Sequence, residues 1–196
     1  MATIYPRSRL DALTDGIYAV AMTLLVLDIR LPEDVHALSE GSLLVALVKL
    51  LPKLIPYIIS FLVLGFHWMS MIKTRTRAEY IGGHHAALTI FDLLFVTFLP
   101  FSATLLGRFP DRAAAVCIYS ANLGLLALVG LWTITVGSDI ERDWRARERI
   151  VSSLTLFASA VLAGGASFFA PRYAMWIYLV NLLPPLIRRR AHSGLA

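Results

Sequence analysis

Three ionisable side chains lie inside otherwise apolar runs of this 196-residue chain: Asp15, His67 and Asp92. Carboxylates and an imidazole together can relay protons, hold a cation or act as general acid and base. Such groups at membrane depth face a bundle interior or a water-filled path by default. Their spacing from flanking charges gives them similar depths. Asp15 follows Arg9 by six residues, which is ~9 Å along a helix. His67 precedes Lys73 by six residues and Asp92 follows His85 by seven. The three can meet on neighbouring helices, or each can snorkel or bond locally. Asp11 and Asp15 stand at i and i+4, where like charges repel, so Asp15 calls for a partner on another helix.

No other cluster offers comparable chemistry. His84 and His85 are adjacent, point to different sides of a helix and have no third ligand in sight, so they read as a cytoplasmic cap and no metal site is expected. The single Cys117 excludes an internal disulfide and a cysteine metal cluster. Phosphate-loop, nucleophile-elbow and H-E-x-x-H motifs are missing, and no cofactor is expected. An enzyme or proton-coupled carrier would have to be built from Asp15, His67 and Asp92 alone.

The elements that position these residues are apolar helices. The chain is 58% hydrophobic and 16% charged, against ~25% charged in soluble domains. A mean hydropathy of +0.70 agrees. This composition excludes a soluble protein and predicts an all-α polytopic protein in the lipid bilayer, a single domain over 1–196. Six spans are read: Leu10–Ile29, Leu54–Ile72, Ala86–Leu106, Ala113–Val136, Ile150–Ala170 and Tyr173–Ile187. The first is no signal peptide, because its apolar run continues past Ala21 and acidic residues sit in its first turns. The net charge of +5 reads as arginines at a membrane face, with no nucleic-acid partner. An N-terminus inside places 12 of the 18 Lys and Arg residues inside, and six spans then leave both termini cytoplasmic. The acidic loop Asp28–Ser42 follows outside, and the amphipathic stretch Leu43–Leu51 is expected to lie along the surface. Pro52 and Pro56 flank the second span, Pro100 kinks the third and Pro184-Pro185 ends the sixth. Gly164-Gly165 reads as a packing site in the fifth.

The first helix has two faces. Leu13, Ile17, Val20, Leu24 and Leu27 follow the alternating 3 and 4 spacing of one stripe. Ala12, Gly16, Ala19 and Thr23 form a small-residue stripe beside it, which lets another backbone come close. Periodicity alone assigns the apolar stripe to packing or lipid contact.

The run from Arg9 through Asp15-Gly16 to Leu24-Leu25-Val26-Leu27-Asp28-Ile29 resembles the first helix of the bacterial relatives of the endolysosomal transmembrane potassium channel. That family opens with R-x-x-x-F-S-D-G and ends the helix in L-L-V-L-D-I or similar. Tyr57-Ile58-Ile59-Ser60-Phe61 with Trp68 resembles its second helix, and Leu93-Leu94-Phe95 through Leu99-Pro100-Phe101-Ser102 to Gly107 resembles its third. Leu13 and Thr14 replace the family's Phe and Ser, Asp92 stands where Asn is common, and Met69, Ser70 and Met71 follow Trp68 where histidine is usual. The resemblance implies a potassium-permeable homotetramer without a T-V-G-Y-G filter, its pore lined by the first helix. Carried over by position, the constriction falls at Val20, with apolar rings at Leu24 and Leu27 and a hydroxyl ring at Thr23; Thr23 is expected to supply oxygen to a partly dehydrated ion and an Asp28 ring to collect cations at the outer mouth. Arg9, Thr14, Asp15 and Trp68 become the structural motif.

Overall fold

The computed structural model describes residues 4–27, 29–30, 40–73, 79–136 and 144–182. Helices account for most of them: α1 (Arg7–Val26), α2 (Glu40–Lys73), α3 (Gly83–Arg108), α4 (Ala113–Val136), α5 (Trp144–Ala166) and the short α6 (Pro171–Ala174), which continues as a 3₁₀ segment, Met175–Leu182. Two short strands, β1 (Ile4–Pro6) and β2 (Tyr80–Gly82), pair antiparallel with Ile4 opposite Gly82, Tyr5 opposite Ile81 and Pro6 opposite Tyr80. The all-α expectation therefore holds for the bundle but omits this ribbon. One further bond extends it, from the Arg7 amide to the Glu79 carbonyl at 2.9 Å. The ribbon places the starts of α1 and α3 side by side.

Among the described residues, four stretches are long and apolar enough to cross a bilayer: Lys53–Lys73, Gly83–Arg108, Ala113–Thr135 and Arg147–Ala166. Helix α1 has 20 residues, or about 30 Å, but Arg7, Arg9, Asp11 and Asp15 dilute its apolar character. The expected sixth span begins in α6 and the 3₁₀ segment, and its remainder, with Pro184-Pro185, lies outside the described residues.

Helix α2 departs most from expectation. The surface stretch Leu43–Leu51 and the second span form one helix of 34 residues, about 51 Å long against a hydrocarbon core of ~30 Å. Pro52 and Pro56 do not end it. Four residues apart, they delete two N–H donors from one line of the helix, and the bonds along its other sides continue. In α3, Pro100 deprives the Val96 carbonyl of its usual donor. Asn122 of α4 supports this turn, donating from Nδ2 to the Phe95 carbonyl at 3.2 Å and to Ser102 Oγ at 3.3 Å.

Helix α4 packs chiefly on α5 and α3, and α1 on α3 and α2. The core runs through Tyr18, Leu64, Val96, Leu99, Leu123, Leu126, Leu156 and Tyr178. Large apolar side chains such as Leu94, Phe101, Trp132 and Val161 stand exposed around it, as a hydrocarbon solvent permits and water does not. Gly164 meets α4 closely, since a Cβ there would lie 3.5 Å from Ser120 Cβ, whereas Gly165 faces open space.

The ribbon can be checked by cross-linking. Directly opposed antiparallel residues lie within disulfide range, so Tyr5→Cys with Ile81→Cys in a Cys117→Ser background should oxidise to an intramolecular bridge. A mobility shift on a non-reducing gel that disappears with reductant is the expected result; absence of the bridge would refute the pairing.

Candidate functional site

The buried polar groups of α1, α2, α3 and α5 converge behind α1. Asp92 is 1% exposed. Its Oδ2 accepts a hydrogen bond from the Tyr18 hydroxyl at 3.1 Å, and its Oδ1 lies 3.2 Å from His67 Nε2, a donor in the tautomer protonated there. The Tyr18 and His67 rings stack with centroids 6.3 Å apart. Tyr18 also lies 3.2 Å from Met71 Sδ, but a carboxylate is the stronger acceptor for its one proton. On α5, Arg149 is buried, and its charge acts on both Asp92 and Tyr18. Nearby, Lys73 and Glu148 pair at 3.7 Å, joining the ends of α2 and α5.

Of the three residues first singled out, the structure joins His67 and Asp92. Asp15 is held separately, accepting a bond from Trp68 Nε1 at 2.9 Å. Adjacent residues of α2 thus serve the two carboxylates, His67 for Asp92 and Trp68 for Asp15. Asp11 pairs with Arg7 at 3.5 Å, which separates its charge from that of Asp15. Thr14 is buried and donates to the Leu10 carbonyl of its own helix at 2.8 Å, whereas Arg9 is exposed. His84 and His85 occupy the first turn of α3.

Tyr18 and Arg149 were not among the candidate residues. The charge count takes Arg149 as one of its 12 inside charges, yet it opens the buried stripe Arg149, Ser153, Leu156, Ala160, Ala163 and Ser167, whose 4, 3, 4, 3, 4 spacing is visible in the sequence. Tyr18 likewise continues from Thr14 to Ala21 and Leu25, the buried face of α1.

The opposite face of α1 is open. Leu13, Val20, Leu24 and Leu27 are exposed, Val20 and Leu27 by 57% each. Ala12, Gly16, Ala19 and Thr23 are exposed beside them, and Ile17 is partly buried. Ala12, Leu13, Gly16, Ile17, Val20, Ala21 and Leu24 line an open groove of about 380 Å³ with Thr97 of α3. The Thr23 hydroxyl donates to the Val20 carbonyl at 2.8 Å, so its proton is spent on the helix and its oxygen lone pairs remain. Beyond the helix, Arg30 Nε donates to the Leu27 carbonyl at 3.1 Å. Asp28 lies outside the described residues.

A family model described as the endosomal/lysosomal potassium channel TMEM175 matches residues 9–100, the segment holding Asp15, Trp68 and Asp92. Over that segment the chain is similar to the TMEM175 family. It is 32% identical over 130 residues to a potassium channel of Streptomyces collinus, a match spanning 63% of this chain and 62% of that protein. A Chryseobacterium potassium channel is 26% identical over 195 residues, covering 96% and 97% of the two chains. The crystal structure of a lysosomal potassium-selective channel TMEM175 homolog from Chamaesiphon minutus superposes with a TM-score of 0.76 at 21% identity, over 91% of this chain and 96% of that one. These relatives are named as channels, which weighs against the reading of Asp15, His67 and Asp92 as an enzyme's acid and base.

Packing around His67 gives a direct test. A methyl at Gly130 would meet His67 Cε1 at 3.3 Å and Ser153 Oγ at 3.5 Å, whereas one at Gly124 meets only Ala160 Cβ at 3.6 Å. His67 is pinned by Asp92 and cannot yield freely. Gly130→Ala should therefore cost about 1–3 kcal/mol, the usual range for overpacking. Gly124→Ala should be neutral or gain up to about 1 kcal/mol from helix propensity. Thermal unfolding in detergent, followed by size-exclusion retention, measures both; equal melting temperatures would disprove the tight contact.

Proposed function

We propose that four copies of this chain assemble as a potassium channel of the inner membrane of a bacterium, each lending α1 to the wall of a central conduction path. In this reading the chain is one channel domain with six spans and both termini cytoplasmic. The carrying observation is the two-sidedness of α1: Thr14, Tyr18, Ala21 and Leu25 are buried within the subunit, and Val20, Leu24 and Leu27 stand exposed on the other side. One subunit contributes a single such helix, too little wall to enclose a path. The naming of two bacterial relatives as potassium channels supports the same reading.

Rings of Val20, Leu24 and Leu27 narrow the path until water leaves it, which makes the apolar constriction both gate and filter. Potassium holds its hydration shell less tightly than sodium, so a narrow, weakly coordinating passage favours it. Thr23 supplies the oxygen: its hydroxyl hydrogen is turned to the Val20 carbonyl, leaving lone pairs for a partly dehydrated cation. Asp28, assigned on sequence grounds, collects cations at the outer mouth. Asp15 and Trp68, with Arg9 and Thr14, hold the first half of α1 to its neighbours.

Reconstitution into liposomes with a potassium gradient tests the function, and fast flux without saturation is expected. In bilayer recordings with potassium and sodium, Val20→Ala should raise leak and erode selectivity. Thr23→Val should shift the reversal potential toward that of a non-selective pore while leaving the tetramer intact. Unchanged conductance and reversal potential in both Val20→Ala and Leu24→Ala would remove α1 from the pore. Slow, substrate-dependent turnover would favour a carrier.

A further inference from the structure

We infer that Asp92 is a positioning residue: through the Tyr18 hydroxyl it fixes the rotation of α1, and with it the side chain that each subunit presents to the conduction path. The inference rests on the reading of α1 as pore wall. Tyr18 and Val20 are two residues apart, which is about 200° around a helix, so fixing one fixes the opposite face that carries the other. The outward side offers no stop to rotation. A Cβ at Gly16 would meet nothing within 4 Å, and the groove beside it is open. Beyond Tyr18 the inward side of α1 offers Ala21 and Leu25, whose apolar contacts carry no direction. The bond from Trp68 to Asp15, nearly one turn earlier, anchors the start of the helix. The bond from Tyr18 to Asp92 is the directional contact next to the constriction.

Asp92 can act as a fixed point because it is itself held from two other helices. His67 of α2 meets its second oxygen, and the buried Arg149 of α5 supplies opposite charge. The anchor of the pore-facing helix therefore stands on α2, α3 and α5 together, behind the groove and away from any ion.

Single cysteines placed by Ala19→Cys, Val20→Cys and Ala21→Cys in a Cys117→Ser background read the rotation. The probe is a water-soluble thiosulfonate reagent applied to reconstituted channels, with current and reversal potential recorded. In the parent, position 20 should react fast and block current, and position 21 should be protected. Adding Tyr18→Phe, which keeps the ring and removes the hydroxyl, should cut the ratio of rates at positions 20 and 21 by roughly tenfold, the weight of a hydrogen bond to a charged group. Asp92→Ala, which removes the acceptor, should act in the same direction. Combined with Tyr18→Phe it should add little, because both variants break one link. Tyr119→Phe is the structural control: it also loses a buried hydroxyl, bonded to Ser60 Oγ at 2.9 Å, but on α4, and its labelling pattern should match the parent.

An unchanged rate ratio and reversal potential in Tyr18→Phe overturns the inference while leaving the pore reading intact. The same change in Tyr119→Phe also overturns it, since the effect would then be general loosening. If a cysteine at position 20 in the parent neither reacts nor blocks, the pore reading itself fails and takes this inference with it.

Discussion

A carboxylate sealed in an apolar bundle must be neutralised and hydrogen-bonded, because an unpaired buried charge costs several kcal/mol. Asp92 meets that demand by recruiting four helices: Tyr18 from α1, His67 from α2, its own α3, and the charge of Arg149 from α5. The arrangement of the first half of the chain follows. Helix α1 must keep Tyr18 inward, which leaves Val20, Leu24 and Leu27 outward. Helix α2 must present His67 and Trp68 to different carboxylates. Gly130 must be small so that α4 can approach His67.

Several other polar groups obey the same rule without charge. Thr14, Thr23, Thr89, Thr97, Thr133 and Thr155 each bond a carbonyl of their own helix, three or four residues back, as hydroxyls do where water is scarce. Far from α1, Tyr119 with Ser60 and Tyr178 with Ser120 form buried pairs whose rings meet edge to face at 5.2 Å. These join α2, α4 and the 3₁₀ segment. Polar contacts thus decide which helices touch, and apolar packing fills the space between them.

Much of this was legible from hydropathy. Helix α4 has the bounds read from the sequence, and α3 differs by a few residues at each end. Depth arithmetic brought His67 to Asp92, and the repulsion between Asp11 and Asp15 called for an off-helix partner to Asp15. Neither argument said that Trp68 would be that partner, because a tryptophan in an apolar run looks like packing until its N–H is placed. Arg149 was hidden for a different reason: its charge counted toward topology, and the buried stripe it begins shows only when followed through Ser153 to Ser167. The join of Leu43–Leu51 to the second span was obscured by Pro52 and Pro56, whose missing donors usually end a helix. The ribbon of Ile4–Pro6 with Tyr80–Gly82 involves three residues a side, too few for an alternating pattern.

Helix α1 is made before the groups on other elements that hold it: Trp68, the strand at Tyr80–Gly82, Asp92 and Arg149. Its acidic residues weigh against insertion alone, since an aspartate near the middle of a span costs about 2.5–3.5 kcal/mol on biological insertion scales. On the six-span reading, lodging of α1 in the bilayer is therefore conditional on the arrival of α2 and α3. On the channel reading, the wall of the conduction path is synthesised before the groups that secure it. A half-finished chain has no stable means of holding a leak open in the membrane that is building it.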